Sequence, residues 1–146
     1  MAYCPRWLFL MNLIVDSRAI KPMNKSGKKI AVFDDDEDIL TICNFILEEQ
    51  GWEVSTFKDC NKITEKISAI LPDVILMDNR IPDEGGIVAT QALKKDENLK
   101  NIPVIYFSAN SDIGLLASQA GADTYLAKPF DIEELEHLIN SFLTEK

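Results

Sequence analysis

The chain has 146 residues, 47% hydrophobic, 8% aromatic and 27% charged, which is enough apolar surface for one globular domain and too much for a disordered chain. Its formal net charge of −9 excludes a chain-wide affinity for nucleic acid or anionic lipid, since both demand clustered Lys and Arg.

The charge is unevenly spread, with +5 on residues 1–29 and −14 on residues 30–146. Residues 1–27 read as a basic, partly apolar N-terminal extension of poor order. Its apolar run, Trp7 to Val15, is interrupted by Asn12 and falls far short of the ~20 residues that span a bilayer. Asp16-Ser17-Arg18 stands where a secretory cleavage site needs small residues, so neither a membrane span nor export is expected. Met23 offers an alternative natural start. Cys4, Cys43 and Cys60 form no C-x-x-C pair, which fits reduced thiols and a cytoplasmic location.

From Lys29 onward two periodicities alternate. Ile30-Ala31-Val32-Phe33 reads as a strand; Ile39, Ile42, Cys43, Ile46 and Leu47 then fall at helical spacing, with Cys43 a small core side chain and Gly51 a stop. Val54 to Phe57 is a second strand, followed by a helix carrying Ile63, Ile67, Ile70 and Leu71. Val74 to Met77 precedes a helix over Ile87 to Leu93, and Val104 to Phe107 precedes one over Ile113 to Ala120. A last strand, Thr124 to Leu126, leads to a helix capped by Asp131 that turns Ile132, Leu135, Leu138, Ile139 and Phe142 inward and leaves His137 on the surface. The reading is an α/β fold, a doubly wound five-stranded parallel sheet with helices on both faces. The third and fourth strands are apolar throughout, as expected of strands covered on both faces.

Ligands of such sheets bind beyond the carboxyl ends of the strands. Asp34-Asp35-Asp36 follows the first strand, Asp78 the third, Ser108 the fourth, and Lys128-Pro129 the fifth. Asp36 and Asp38 suit the start of a helix and need no other role. Asp78 ends an apolar run and enters a loop, Asn79-Arg80-Ile81-Pro82, so capping does not explain it. Two unit charges about 4 Å apart repel by roughly 4 kcal/mol at an effective dielectric near 20, so gathering Asp34, Asp35 and Asp78 calls for a cation. Hard oxygen ligands without nearby His or Cys suit Mg²⁺. Lys128 supplies a second positive charge, and Ser108 a donor for a bound oxyanion.

These residues resemble the receiver domain of bacterial two-component response regulators, of the single-domain, chemotaxis-regulator-like kind. The matching blocks are Lys29 to Glu37; Pro72 to Asp78 with Ile81-Pro82 and Gly85-Gly86; Pro103 to Ala109; and Ala120 to Asp123 through Tyr125 to Lys128-Pro129-Phe130. The resemblance covers about residues 28–146. It implies a flavodoxin-like three-layer sandwich of strand order 2-1-3-4-5 and a phosphoryl-accepting switch.

Carried over, Asp78 is the nucleophile that takes a phosphoryl group from a sensor histidine kinase or histidine phosphotransfer protein. Asp35 and Asp34 hold Mg²⁺ with Asp78 and the Arg80 main-chain carbonyl. Lys128, joined to Pro129 by a cis peptide bond, pairs with Asp78 and then the phosphoryl group, Ser108 bonds a phosphoryl oxygen, and Tyr125 swings inward as Ser108 moves. The switching surface is the fourth helix, fifth strand and fifth helix, which meets a downstream protein target or passes the group onward. Such a domain is a self-modifying phosphoacceptor and not an enzyme in the usual sense. Ser108 stands where Thr is commoner and Ile81 where Met is, while Arg80 and Asn110 occupy the positions that tune phosphoryl lifetime.

Three other readings compete. A receiver module cut from a longer signalling protein, or one that only binds, shares all these residues. A haloacid-dehalogenase-like phosphatase has an Asp-x-Asp pair in Asp34 and Asp36 but meets Asp38 where it wants Thr or Val. A calcium loop from Asp34 puts Ile39 where Gly belongs and Phe45 where the bidentate Glu belongs, and fails.

Overall fold

The computed structural model describes residues 27–82 and 85–143, so the reading of residues 1–26 of the extension lies outside the described part. Strands β1 (Lys29–Phe33), β2 (Glu53–Phe57), β3 (Val74–Asp78), β4 (Val104–Ser108) and β5 (Thr124–Ala127) alternate with helices α1 (Glu37–Glu49), α2 (Ile63–Ile70), α3 (Gly85–Lys95), α4 (Ile113–Ala120) and α5 (Ile132–Leu143). All pairings are parallel, in the order β2-β1-β3-β4-β5. This is the flavodoxin-like receiver architecture.

Successive strand residues point to opposite faces, and the two cores divide accordingly. Ala31, Phe33, Ile75, Met77, Val104 and Tyr106 pack with Ile63 and Ile67 of α2, Ala89 and Leu93 of α3, and Ile113 and Ala117 of α4. Ile30, Val32, Val74, Leu76, Ile105 and Phe107 pack with Leu40, Cys43 and Leu47 of α1 and Leu135 and Ile139 of α5. Every residue of β3 and β4 is buried, as their apolar runs predict.

Two helix assignments change in detail. On α1 the core stripe is Leu40, Cys43 and Leu47, an i, i+3, i+7 set, and Ile42 lies off it with 48% of its surface exposed. Leu71 caps α2 in the left-handed region at φ 44° and is 60% exposed rather than inward, because Pro72 disfavours continued helix at the residue before it. Asp36 caps α1, its carboxylate accepting the Asp38 N–H at 2.9 Å, and Gly51 ends that helix at φ 91° with its N–H donated to the Glu48 carbonyl. At α5 the Asp131 N–H donates to the Glu134 carboxylate, one half of a capping box, and His137 is exposed. Cys43 and Cys60 are both buried, and burial is the chief cause that pushes the Cys43 thiol up to about 11. Among the described residues no helix is long and apolar enough to cross a membrane.

Candidate functional site

The parallel register brings the strand ends to one edge. Asp78 is the last residue of β3, opposite Phe107, and Ser108 the last of β4, opposite Ala127. Asp34 follows β1 directly, its N–H donated to the Phe57 carbonyl at 3.1 Å. Lys128 follows β5 and its N–H donates to the Ser108 carbonyl at 2.9 Å, while its bond to Pro129 is cis.

Asp34 and Asp78 are both almost fully buried, with 1% and 4% of their surface exposed. Such carboxylates need partners. The Lys128 ammonium donates to Asp34 Oδ2 at 2.7 Å and to Asp78 Oδ1 at 3.1 Å, and sits 4.5 Å from the centre of the Phe107 ring. The remaining oxygens accept main-chain donors, Asp34 Oδ1 from the Asp36 N–H at 2.9 Å and Asp78 Oδ2 from the Arg80 N–H at 3.1 Å. Burial raises the Asp34 carboxyl above its ordinary value, only partly offset by Lys128 and the Asp36 N–H, and the Asp78 charge adds to the rise. Burial pulls Lys128 the other way, and its bonds to Asp34 and Asp78 outweigh it to hold the ammonium above its usual value.

One carboxylate oxygen each from Asp34, Asp35 and Asp78 lie within 4.8 Å of one another, with Asp35 exposed at the rim. Three carboxylates face a single ammonium, and all the donors are oxygens. This set fits a hard divalent cation that keeps part of its water shell. Asp36 stands apart because its carboxylate caps α1, which removes the second acid of the Asp-x-Asp phosphatase pair from the cluster.

The Ser108 hydroxyl accepts the Asn110 N–H at 3.1 Å and retains its own proton for another acceptor. Tyr125 is 50% exposed, with its ring where a methyl group on Gly114 would meet it at 3.4 Å. The tyrosine therefore lies outward, along the start of α4. Three neighbours of the site were not legible as such: Asn79, Tyr106 and Gly86. The Tyr106 hydroxyl donates to Asn79 Oδ1, and a Cβ on Gly86 would run into the Asp78 carbonyl and that same hydroxyl. The available signal was a phenol inside a strand buried on both faces, which must find a partner.

The sequence model of the response regulator receiver domain matches residues 30–140. The chain belongs to this family. It is thus a receiver domain of two-component signalling, a class of domain that pairs with histidine kinases and response-regulator partners. The chain is 31% identical over 135 residues to the CAI-1 autoinducer sensor kinase/phosphatase CqsS of Vibrio cholerae, covering 89% of this chain and 20% of that protein. It is 32% identical over 117 residues to the DNA-binding dual master transcriptional regulator RpaA of Synechocystis sp., covering 79% of this chain and 48% of the relative. The chain therefore spans a fifth to a half of the length of these relatives. Among solved structures it is similar to the receiver domain of the sensor histidine kinase PA1611 from Pseudomonas aeruginosa, which carries a magnesium ion in its active site cleft. That likeness has a TM-score of 0.74 at 29% identity and covers 80% of this chain and 98% of that one.

Proposed function

We propose that the domain accepts a phosphoryl group on Asp78 from a phosphohistidine of a sensor histidine kinase or histidine phosphotransfer protein. The observation that carries this reading is the Asp78 carboxylate itself, buried at the end of β3 and held at both oxygens by the Lys128 ammonium and the Arg80 N–H. An Asp78 oxygen attacks phosphorus, the P–N bond breaks, the imidazole leaves with the bonding pair, and a β-aspartyl phosphate remains. Positioning and charge neutralisation are what such a loose transition state requires of the protein.

Asp34, Asp35 and Asp78, with the Arg80 main-chain carbonyl, are the groups that would hold Mg²⁺. When bound, the ion neutralises charge on the phosphoryl oxygens. Lys128 follows the charge as it moves from the Asp78 carboxylate to the phosphoryl group, and Ser108 donates its hydroxyl to a phosphoryl oxygen. Drawing Ser108 toward that oxygen opens the space that Tyr125 enters, and the surface of α4, β5 and α5 shifts between two pre-existing arrangements. The output is contact with a downstream protein or onward transfer, with no direct part for nucleic acid, in the cytoplasm. The protein modifies itself and acts as a phosphoacceptor rather than as a turnover enzyme. A receiver working alone and one joined to other segments share this chemistry, because all its residues lie between 34 and 128.

The test is a small phosphodonor such as phosphoramidate with Mg²⁺, read by intact mass and peptide mapping. One phosphoryl group on Asp78, absent from Asp78→Asn, is the expected result. Phosphate on another residue overturns the assignment.

A further inference from the structure

Tyr106 stands within the apolar run of β4 and is fully buried between Ile105 and Phe107. Its hydroxyl reaches past the end of β3 to donate to Asn79 Oδ1, the first side chain of the loop that follows Asp78. The register permits this, because Tyr106 stands opposite Met77, one residue before the strand ends. Gly86, near the start of α3, closes over the same point. Any Cβ there would collide with the Asp78 carbonyl, the Tyr106 hydroxyl and the Asn79 Cα, and the Gly86 N–H points to the Asn79 carbonyl at 3.4 Å. That last bond is long, so the phenol is the stronger tether on Asn79. The next residue, Arg80, donates its N–H to Asp78 Oδ2.

We propose that Tyr106 is a positioning residue for the Asp78 site: through Asn79 its hydroxyl holds the Asn79–Arg80 peptide against the Asp78 carboxylate, and thereby sets cation affinity and the rate of phosphoryl acceptance. This rests on the reading of Asp78 as the acceptor and of the acidic cluster as a Mg²⁺ site. A buried tether of this kind matters because displacements of about 1 Å at a reacting group cost as much as 10²-fold in rate. Tyr106→Phe keeps the volume and apolar surface that fill the core, and removes only the donor.

The experiment measures Mg²⁺ binding to the unphosphorylated protein by calorimetry, alongside the rate of phosphorylation by phosphoramidate. Tyr106→Phe is expected to weaken Mg²⁺ binding about tenfold and to slow phosphorylation by a similar factor, the size of one well-placed hydrogen bond. Asn79→Ala, in a half-buried loop where folding is not at stake, is expected to do the same, and the double variant to be no worse than either single change. Equal Mg²⁺ affinity in Tyr106→Phe and the parent, or losses that add in the double variant, overturns the proposal. A purely structural tyrosine lowers the melting temperature of the metal-free protein and leaves the binding constant alone, which also overturns it. If the parent binds no Mg²⁺, or Asp35→Ala binds it as well as the parent, the underlying site reading fails instead.

Discussion

Lys128 and Asp34, 94 residues apart in the chain, meet at 2.7 Å, a shorter bond than the 3.1 Å contact between Lys128 and Asp78. One ammonium thus serves two buried carboxylates and is drawn more closely to the one that is not the proposed acceptor. Removing charge from the two sides of this cluster has opposite consequences.

The Asp34 carboxyl is raised above its ordinary value, so the folded state binds its proton more tightly than the unfolded chain. Its contribution to stability is complete below the ordinary value of 3.8 and is lost as pH rises through the folded value. Once ionised, Asp34 therefore opposes folding of the metal-free protein. Asp34→Asn is expected to raise the metal-free melting temperature and to weaken its response to Mg²⁺. Lys128→Gln, which leaves two carboxylates without their ammonium, is expected to lower stability by about 2–3 kcal/mol, with Mg²⁺ restoring part. Paired thermal melts in EDTA and in Mg²⁺ check both, and a less stable metal-free Asp34→Asn contradicts the charge balance.

Gly85 and Gly86 are adjacent and needed for different reasons. Gly85 has φ 78°, and among the described residues nothing lies within 4 Å of an added Cβ, so Gly85→Ala meets backbone strain of about 1–2 kcal/mol. Gly86→Ala places a methyl group against the Asp78 main chain and the Tyr106 hydroxyl and must displace one of them, at about 1–3 kcal/mol and with loss of Mg²⁺ binding. Denaturant midpoints measured with and without Mg²⁺ separate the two. The Mg²⁺ increment survives in Gly85→Ala and shrinks in Gly86→Ala.

On α1, Leu47 is buried and Ile42 is half exposed, although both belong to the same apolar pattern in the sequence. Leu47→Ala is expected to cost about 2–5 kcal/mol and Ile42→Ala about 0.5 kcal/mol or less by chemical denaturation. Similar losses at the two positions would mean that the helix is rotated from the arrangement described.

Burial pushes the Cys43 thiol from 9.0 up to about 11. The folded state then holds that proton more firmly, so the contribution is full below pH 9 and fades as pH rises through 11. At roughly 1.4 kcal/mol per unit, the parent is expected to lose up to about 3 kcal/mol more than Cys43→Ala across that interval. Denaturation of both proteins at pH 8.5 and pH 11 cancels the titration of every other group and isolates the thiol.

The fold was largely legible because β3 and β4 are unbroken apolar runs and the helices between strands carry apolar residues at helical spacing. What escaped was rotation and termination. Leu40, Ile42 and Cys43 look alike in a periodic pattern, and only packing against Ile30 and Val32 decides which faces the sheet. Likewise Leu71 continues the pattern of α2 although Pro72 ends the helix. At the site, Asp34, Asp35, Asp78, Ser108 and Lys128 were visible because each stands at or just past the carboxyl end of a strand, and strand ends converge in a parallel sheet. The Tyr106–Asn79 bond was not, since a tyrosine in a strand reads as core and its hydroxyl has no one-dimensional signature. Nor does any spacing reveal that Lys128 lies nearer Asp34 than Asp78.

The crossed order β2-β1-β3-β4-β5 also bears on when the domain becomes competent. Its acids come from the ends of β1 and β3 and its ammonium from the end of β5, so no fragment ending before Lys128 contains the full set. A chain emerging from the ribosome carries the acidic cluster long before the charge that balances it, and parallel pairings of this kind wait on distant loop closures. On the proposed reading of the site, phosphoryl acceptance is expected to wait for the docking of the last strand, so that an incompletely made receiver stays silent rather than partly active.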